Sequence, residues 1–176
     1  MINCVLRHFG VAGIFIVPHT GFVKAQISDT TASDNGGEGV FYQPDGGSAS
    51  INIVLDRVTT DNNHEGVSVF GDNDTGTIQI VLNGVESNNN AFAGVQLTSA
   101  VSNIVAEIHE STLSLNAVAG INNAGVATVH LAKSYLTFNT TGILNTGGGT
   151  VLSAGDNHIV GNANNVGGPM GSEPLR

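Results

Sequence analysis

The stretch Asp56-Arg57-Val58-Thr59-Thr60-Asp61-Asn62, followed after three residues by Gly66-Val67-Ser68-Val69, sets the reading of the whole chain. Just ahead of it, Ile51, Ile53 and Leu55 share one parity and Asn52, Val54 and Asp56 the other. That period of two marks a half-buried strand. Asn62 then reads as a turn, since Asn tolerates left-handed backbone and carries its own hydrogen-bonding amide. Gly66-Val67 opens a second short strand, and the polar run from Gly71 to Gly76 leads onward as a loop.

The same phrase recurs in both directions. Asn35, Asn62, Asn89, Asn116, Asn139 and Asn162 mark it at spacings of 27, 27, 27, 23 and 23, and one further step of 27 backward reaches His8. Gly followed by Val or Ile comes shortly after each of the first markers: Gly13-Ile14, Gly39-Val40, Gly66-Val67, Gly94-Val95, Gly120-Ile121 and Gly142-Ile143. Ile78, Ile80 and Leu82 repeat the alternating strand, as do Ala106 with Ile108 and Val129 with Leu131. A unit of this length cannot bury its apolar side alone; stacked units enclose one continuous core. The expected fold is therefore all-β, a right-handed parallel β-helix of about six to seven coils, with right-handedness taken from the general rule for parallel crossovers. Equivalent residues would lie about 4.8 Å apart. The marker asparagines (Asn35, Asn62, Asn89, Asn116, Asn139 and Asn162) would form a ladder of stacked amides.

Composition agrees with this reading and narrows the function. The chain of 176 residues contains 24 Gly and 20 Asn, no Trp, 11% charged residues and a net charge of −9. Three Arg and two Lys cannot form a basic stripe, so nucleic acid is not an expected partner. No apolar run reaches the roughly 18 residues of a membrane span. Cys4 is the only cysteine, which excludes an intrachain disulfide and a cysteine-based zinc site. Gly10 to Val17, preceded by Arg7 and His8, has the outline of a short signal peptide, but the repeat accounts for it as ordinary structure. The repeat domain is expected over 1–162, with 163–176 a flexible tail or partial cap.

Stacking turns sequence offsets into neighbours, which yields two candidate clusters. Six residues before the markers stand Ile2, Asp29, Asp56 and Asn83, then Glu110, Lys133 and Asp156, with a slip of strand phase between Leu82 and Ile108. Asp34 and Asp61 directly precede their markers, so Asp29, Asp34, Asp56 and Asp61 gather on two coils beside Arg57. Such a group could bind calcium or split its pKa values for acid and base catalysis. It could equally consist of ordinary turn aspartates. Glu110, Lys133 and Asp156 read as a solvated ladder of alternating sign. The second cluster is Glu107, His109 and His130 on an outward strand face, able in principle to hold a metal or pass a proton, and otherwise an ordinary exposed face. Asp72-Asn73-Asp74-Thr75-Gly76 resembles the start of a calcium loop but lacks the ligands required at 76 and 83. Asn73-Asp74-Thr75 and Asn139-Thr140-Thr141 fit the glycosylation sequon. No resident cofactor is called for; calcium is the one ion the Asp cluster could take.

Asp56 to Asn62 with Gly66-Val67, Ser134 to Asn139 with Gly142-Ile143, and Leu152 to Asn162 resemble the bacterial right-handed parallel β-helix repeat proteins of the pectate-lyase-like superfamily. The resemblance spans roughly Ile2 to Asn162 and is specific for fold rather than function. It implies an exported, cell-surface or periplasmic setting, and acidic clusters on the coil exterior in the lyase and hydrolase members. Related chains carry further coils upstream, so this one is expected to be an N-terminally truncated member whose first coil exposes an apolar stack end. That end could support end-to-end self-association. The leading expectation is a non-enzymatic binding or structural module that contacts polysaccharide. The alternatives are a carbohydrate-active lyase, hydrolase or epimerase and an adhesin-like or fibre-like assembly module. Scarce cations and few aromatics weigh against an enzyme that grips acidic sugars.

Overall fold

The computed structural model describes residues 1–72, 75–101 and 103–173, and these contain no helix. They form a parallel β-solenoid of about six turns. Among them no helix is long and apolar enough to cross a membrane. The calcium-like loop and the first sequon both include Asn73 and Asp74, which lie outside the described residues.

Three parallel sheets run along the stack. The long sheet has eight strands, from Val5–Arg7 through Phe22–Ser33, Ser50–Thr59, Thr77–Asn83, Asn103–His109, Thr128–Ala132 and Thr150–Ser153 to Gly171–Ser172. A second sheet of seven strands carries the Gly-Val segments: Ile14–Ile16, Glu38–Tyr42, Glu65–Phe70, Ala93–Thr98, Ala119–Asn123, Thr141–Asn145 and Asn164–Gly167. The third is a short corner sheet of Thr112–Ser114, Tyr135–Thr137 and His158–Val160. Alternation decides which side chains go inside. Ile51 stacks on Ile78 and Ile104, Ile53 on Ile80 and Ala106, Leu55 on Leu82 and Ile108. All of these are buried, together with Val67, Val69, Val95 and Leu97 of the facing sheet.

The ladder takes a different path from the markers. Asn35 Nδ2 donates to Asn63 Oδ1 (3.1 Å), the Asn63 N–H donates to Asn90 Oδ1 (2.9 Å), and Asn90 Nδ2 donates to Asn116 Oδ1 (2.9 Å). Asn116 and Asn139 continue through Asn139 Oδ1 and Asn162 Oδ1, both at 3.0 Å. The true spacings are 28, 27, 26, 23 and 23. Asn62 and Asn89 stand one residue outside, on a left-handed column with His8, Asp34, Leu115 and Phe138, all at φ between 55° and 62°. The turn needs two adjacent residues, one left-handed and one pointing inward. Where both are Asn, an even spacing of 27 selects the outer one. The outer amides make a lesser, exposed chain: Asn89 Nδ2 donates to Asn62 Oδ1 (2.6 Å) and Asn62 Nδ2 to Asp34 Oδ1 (3.0 Å).

The ladder explains the repeated glycine. A Cβ on Gly94 would lie 2.8 Å from the Gly120 carbonyl oxygen and 3.0 Å from Asn116 Nδ2; on Gly39 it would lie 2.7 Å from the Gly66 oxygen. Only a bare backbone fits between the ladder and the next coil.

Coils shorten toward the C-terminus mainly in the loop joining the Gly-Val sheet to the long sheet. That loop spans Tyr42 to Ser50 in an early coil and Asn123 to Thr128 in a later one. The inward position held by Tyr42, Val69 and Leu97 becomes Asn123 and then Asn145. Their Nδ2 atoms donate to the Ala127 and Gly149 carbonyls at 3.0 and 3.1 Å and pin the tightened loop.

Past Asn162 the winding continues. Asn164–Gly167 pairs with Thr141–Asn145, and Gly171–Ser172 with Thr150–Ser153. The segment read as a tail or partial cap thus adds strands through backbone pairing, which its low apolar content does not signal.

Candidate functional site

The four aspartates do not form one cluster. Asp29 lies opposite Arg57, one residue off the expected partner, because coil spacing here is 28. Arg57 grips Asp29 with Nε at 2.7 Å and Nη2 at 3.0 Å, and its Nη1 also bonds Asp56. These hydrogen bonds hold the Asp29 carboxyl below the usual carboxylate range and raise the guanidinium. Asp56 Oδ1 accepts from Asn83 Nδ2 at 2.8 Å. Asp34 pairs with Arg7 at 3.1 Å and accepts from Asn62. Two of the chain's cations therefore occupy three of its four candidate acids.

Asp61 belongs to another column. Its backbone N–H donates to Ser33 Oγ (3.0 Å), and its Oδ1 accepts the Asn88 N–H (2.7 Å); Asn88 Oδ1 in turn accepts the Ser114 N–H (2.9 Å). Burial pushes the Asp61 carboxyl above the usual range despite the Asn88 hydrogen bonds, and the Glu86 charge adds to the rise. The folded state therefore holds this proton more tightly than the unfolded chain. The resulting stabilisation is complete below the ordinary value of 3.8 and is lost as pH rises through the raised one. Asp61→Asn keeps the acceptor and matches the Asn already one coil on. Its expected result is a Tm higher by about 2 °C at pH 7, with the gain absent at pH 3, measured by scanning calorimetry.

The second cluster assembles in part. Glu107 and His130 are register partners on adjacent strands of the long sheet, and His109 Nε2 lies 3.6 Å from Glu107 Oε2. His130 Nδ1 turns to Glu173 Oε2 at 2.7 Å, a partner that no repeat spacing reveals. Beside them lies a shallow depression of about 120 Å³, lined by Gln79, Ile80, Val81, Val105 and Glu107. Gln79 and Glu107 are exposed, while Val81, Val105, His109 and His130 are half-buried. Hydrogen-bonding and apolar side chains thus alternate across an open face. Among the described residues no three His, Cys, Asp or Glu side chains converge as a metal site would need. Glu110 and Lys133 form an ion pair at 3.5 Å, whereas Asp156 Oδ1 accepts the backbone N–H of Lys133 at 3.0 Å, so the charge alternation covers the first pair only.

The chain matches no protein-family model, no curated protein and no solved structure.

Proposed function

We propose that the protein is a non-enzymatic β-helix module that binds a polysaccharide along the outward face of its long sheet. The observation that carries this reading is the face itself: Gln79, Glu107, His109 and His130 offer hydrogen bonds beside the half-buried Val81 and Val105. Strands about 4.8 Å apart repeat this pattern along the stack, as an extended polymer repeats its own hydroxyl and C–H surfaces. Catalysis on the aspartates is disfavoured because Arg57 and Arg7 already bind three of them. An exported or surface setting suits such a module.

Calorimetric titration with neutral and acidic oligosaccharides, with and without calcium, tests the reading. Binding to a neutral oligosaccharide without calcium is expected, weakened about tenfold in a Gln79→Ala, Glu107→Ala variant, a loss of about 1.4 kcal/mol. No heat with any sugar overturns it, and release of new chain ends would favour a lyase or hydrolase.

A further inference from the structure

The outward face of the Gly-Val sheet differs from that of the long sheet. Val67, Val69, Val95, Leu97 and Ile121 point into the core, so Ser68, Gln96 and Asn122 beside them point outward. These three are register partners on successive coils. They are nevertheless only 5%, 8% and 6% exposed, whereas Gln79 and Glu107 on the long sheet are open to solvent. The middle of this face is therefore a recess rather than a flat surface.

Two acceptors in the recess lack donors. Gln96 Nε2 donates to Thr98 Oγ1 at 2.7 Å, but Gln96 Oε1 and Asn122 Oδ1 accept no hydrogen bond from the described residues. Buried polar groups are nearly always paired, so two unpaired oxygens on adjacent coils call for donors from outside the chain.

Acids border the same recess. Glu38 and Glu65 are register partners, and Glu65 accepts from the Ser68 hydroxyl. The Glu65 side chain keeps 15% exposure, which leaves it within reach of a ligand. Burial pushes its carboxyl above the usual range against the Ser68 hydrogen bond, and the Glu38 charge adds to the rise. The cations of the described residues do not balance this pair. Arg7, Arg57 and Lys133 pair with acids elsewhere, and Lys24 lies over the Phe22 ring. His64 Nδ1 approaches Glu65 Oε1 only to 4.0 Å. The His64 ring stacks instead on the half-buried Phe92 at 5.8 Å and gives the recess an aromatic rim.

Along the stack the recess thus runs from carboxylates to amide oxygens beside an aromatic edge. A complementary ligand carries a cation at one end, hydroxyl donors at the other and C–H surface between. We propose that the outward face of the Gly-Val sheet is a second binding site, which takes an amino sugar with a free amine. Its ammonium lies on Glu38 and Glu65, and its hydroxyls on Gln96 and Asn122. This site is separate from the sugar-binding face of the long sheet and does not depend on it.

Calorimetry with a short glucosamine oligosaccharide tests the proposal. Binding should be about tenfold tighter than to the N-acetylated form, which keeps the remaining hydroxyls and loses the charge. Glu65→Gln preserves shape, removes the carboxylate and should abolish that preference. Gln79→Ala with Glu107→Ala, on the long sheet, should leave it unchanged. In nitrogen-edited NMR of the intact protein, the side-chain amide signals of Gln96 and Asn122 should shift as the amino sugar is added. Equal affinity for the two sugars overturns the proposal, as does butylammonium binding as tightly as the amino sugar. A preference that survives Glu65→Gln but is lost in the long-sheet variant places the amine on the other face and also overturns it. None of these failures touches neutral-sugar binding by the long sheet, which the acetylated and neutral sugars report separately.

Discussion

Gly94→Ala is expected to lower stability by about 3 kcal/mol. The added carbon would sit 2.8 Å from the Gly120 carbonyl oxygen, 3.0 Å from Asn116 Nδ2 and 3.1 Å from the Ser87 oxygen. The first is backbone of the next coil, the second a rung of the ladder and the third backbone of the same coil, so none can yield alone. Either the coils part, weakening parallel pairing on both sides, or Asn116 swings away and leaves buried polar groups unpaired. Gly10→Ala is the control, since a carbon there meets nothing within 4 Å. Urea unfolding of both variants should give a large fall in midpoint for the first and nearly none for the second. Equal midpoints would remove the close-approach explanation for the glycine column.

Asn90→Ala is expected to cost about 3 kcal/mol, and its neighbour Asn89→Gly well under 1. Asn90 Oδ1 accepts the buried Asn63 N–H at 2.9 Å, and its Nδ2 donates to Asn116 Oδ1 at 2.9 Å and Ser87 Oγ at 3.2 Å. Truncation strands the Asn63 N–H away from water and leaves Asn116 Oδ1 and Ser87 Oγ with one partner each, the Asn90 N–H (3.1 Å) and the Gly94 carbonyl (2.8 Å). Asn89 is exposed at φ 55°, and its Nδ2 makes one surface hydrogen bond to Asn62. Glycine accepts that backbone without strain. Chemical denaturation of the two single variants separates them, and a larger loss at 89 than at 90 would return the ladder to the outer column.

This contrast marks where the sequence stops being readable. Strand alternation, the glycine column and the core need only periods of two and of a whole coil, and Ile51, Ile78 and Ile104 stack as those periods require. Adjacent positions are harder. Asn62-Asn63 and Asn89-Asn90 satisfy a turn either way round, and only the direction of the side chain tells inner from outer. The same single-residue ambiguity set Asp29 against Asp56 on paper, whereas the fold sets it against Arg57 and turns an apparent acidic cluster into a set of ion pairs. Glu107 and His130 escaped the problem because their two strands keep a register of 23 along the whole pair, the spacing on which they were paired. Glu173 gave no signal, since it arrives beside His130 from a segment outside the repeat.

The loop that absorbs most of the shortening has a practical corollary. Between Tyr42 and Ser50 it joins the two sheets with Asp45, Gly47 and Ser48 exposed on it. Foreign peptide inserted there should leave the ladder and the glycine column intact, because loop length alone is thermodynamically cheap. Successive coils would hold such inserts in file at one strand spacing, which makes this corner a natural rack for ordered display.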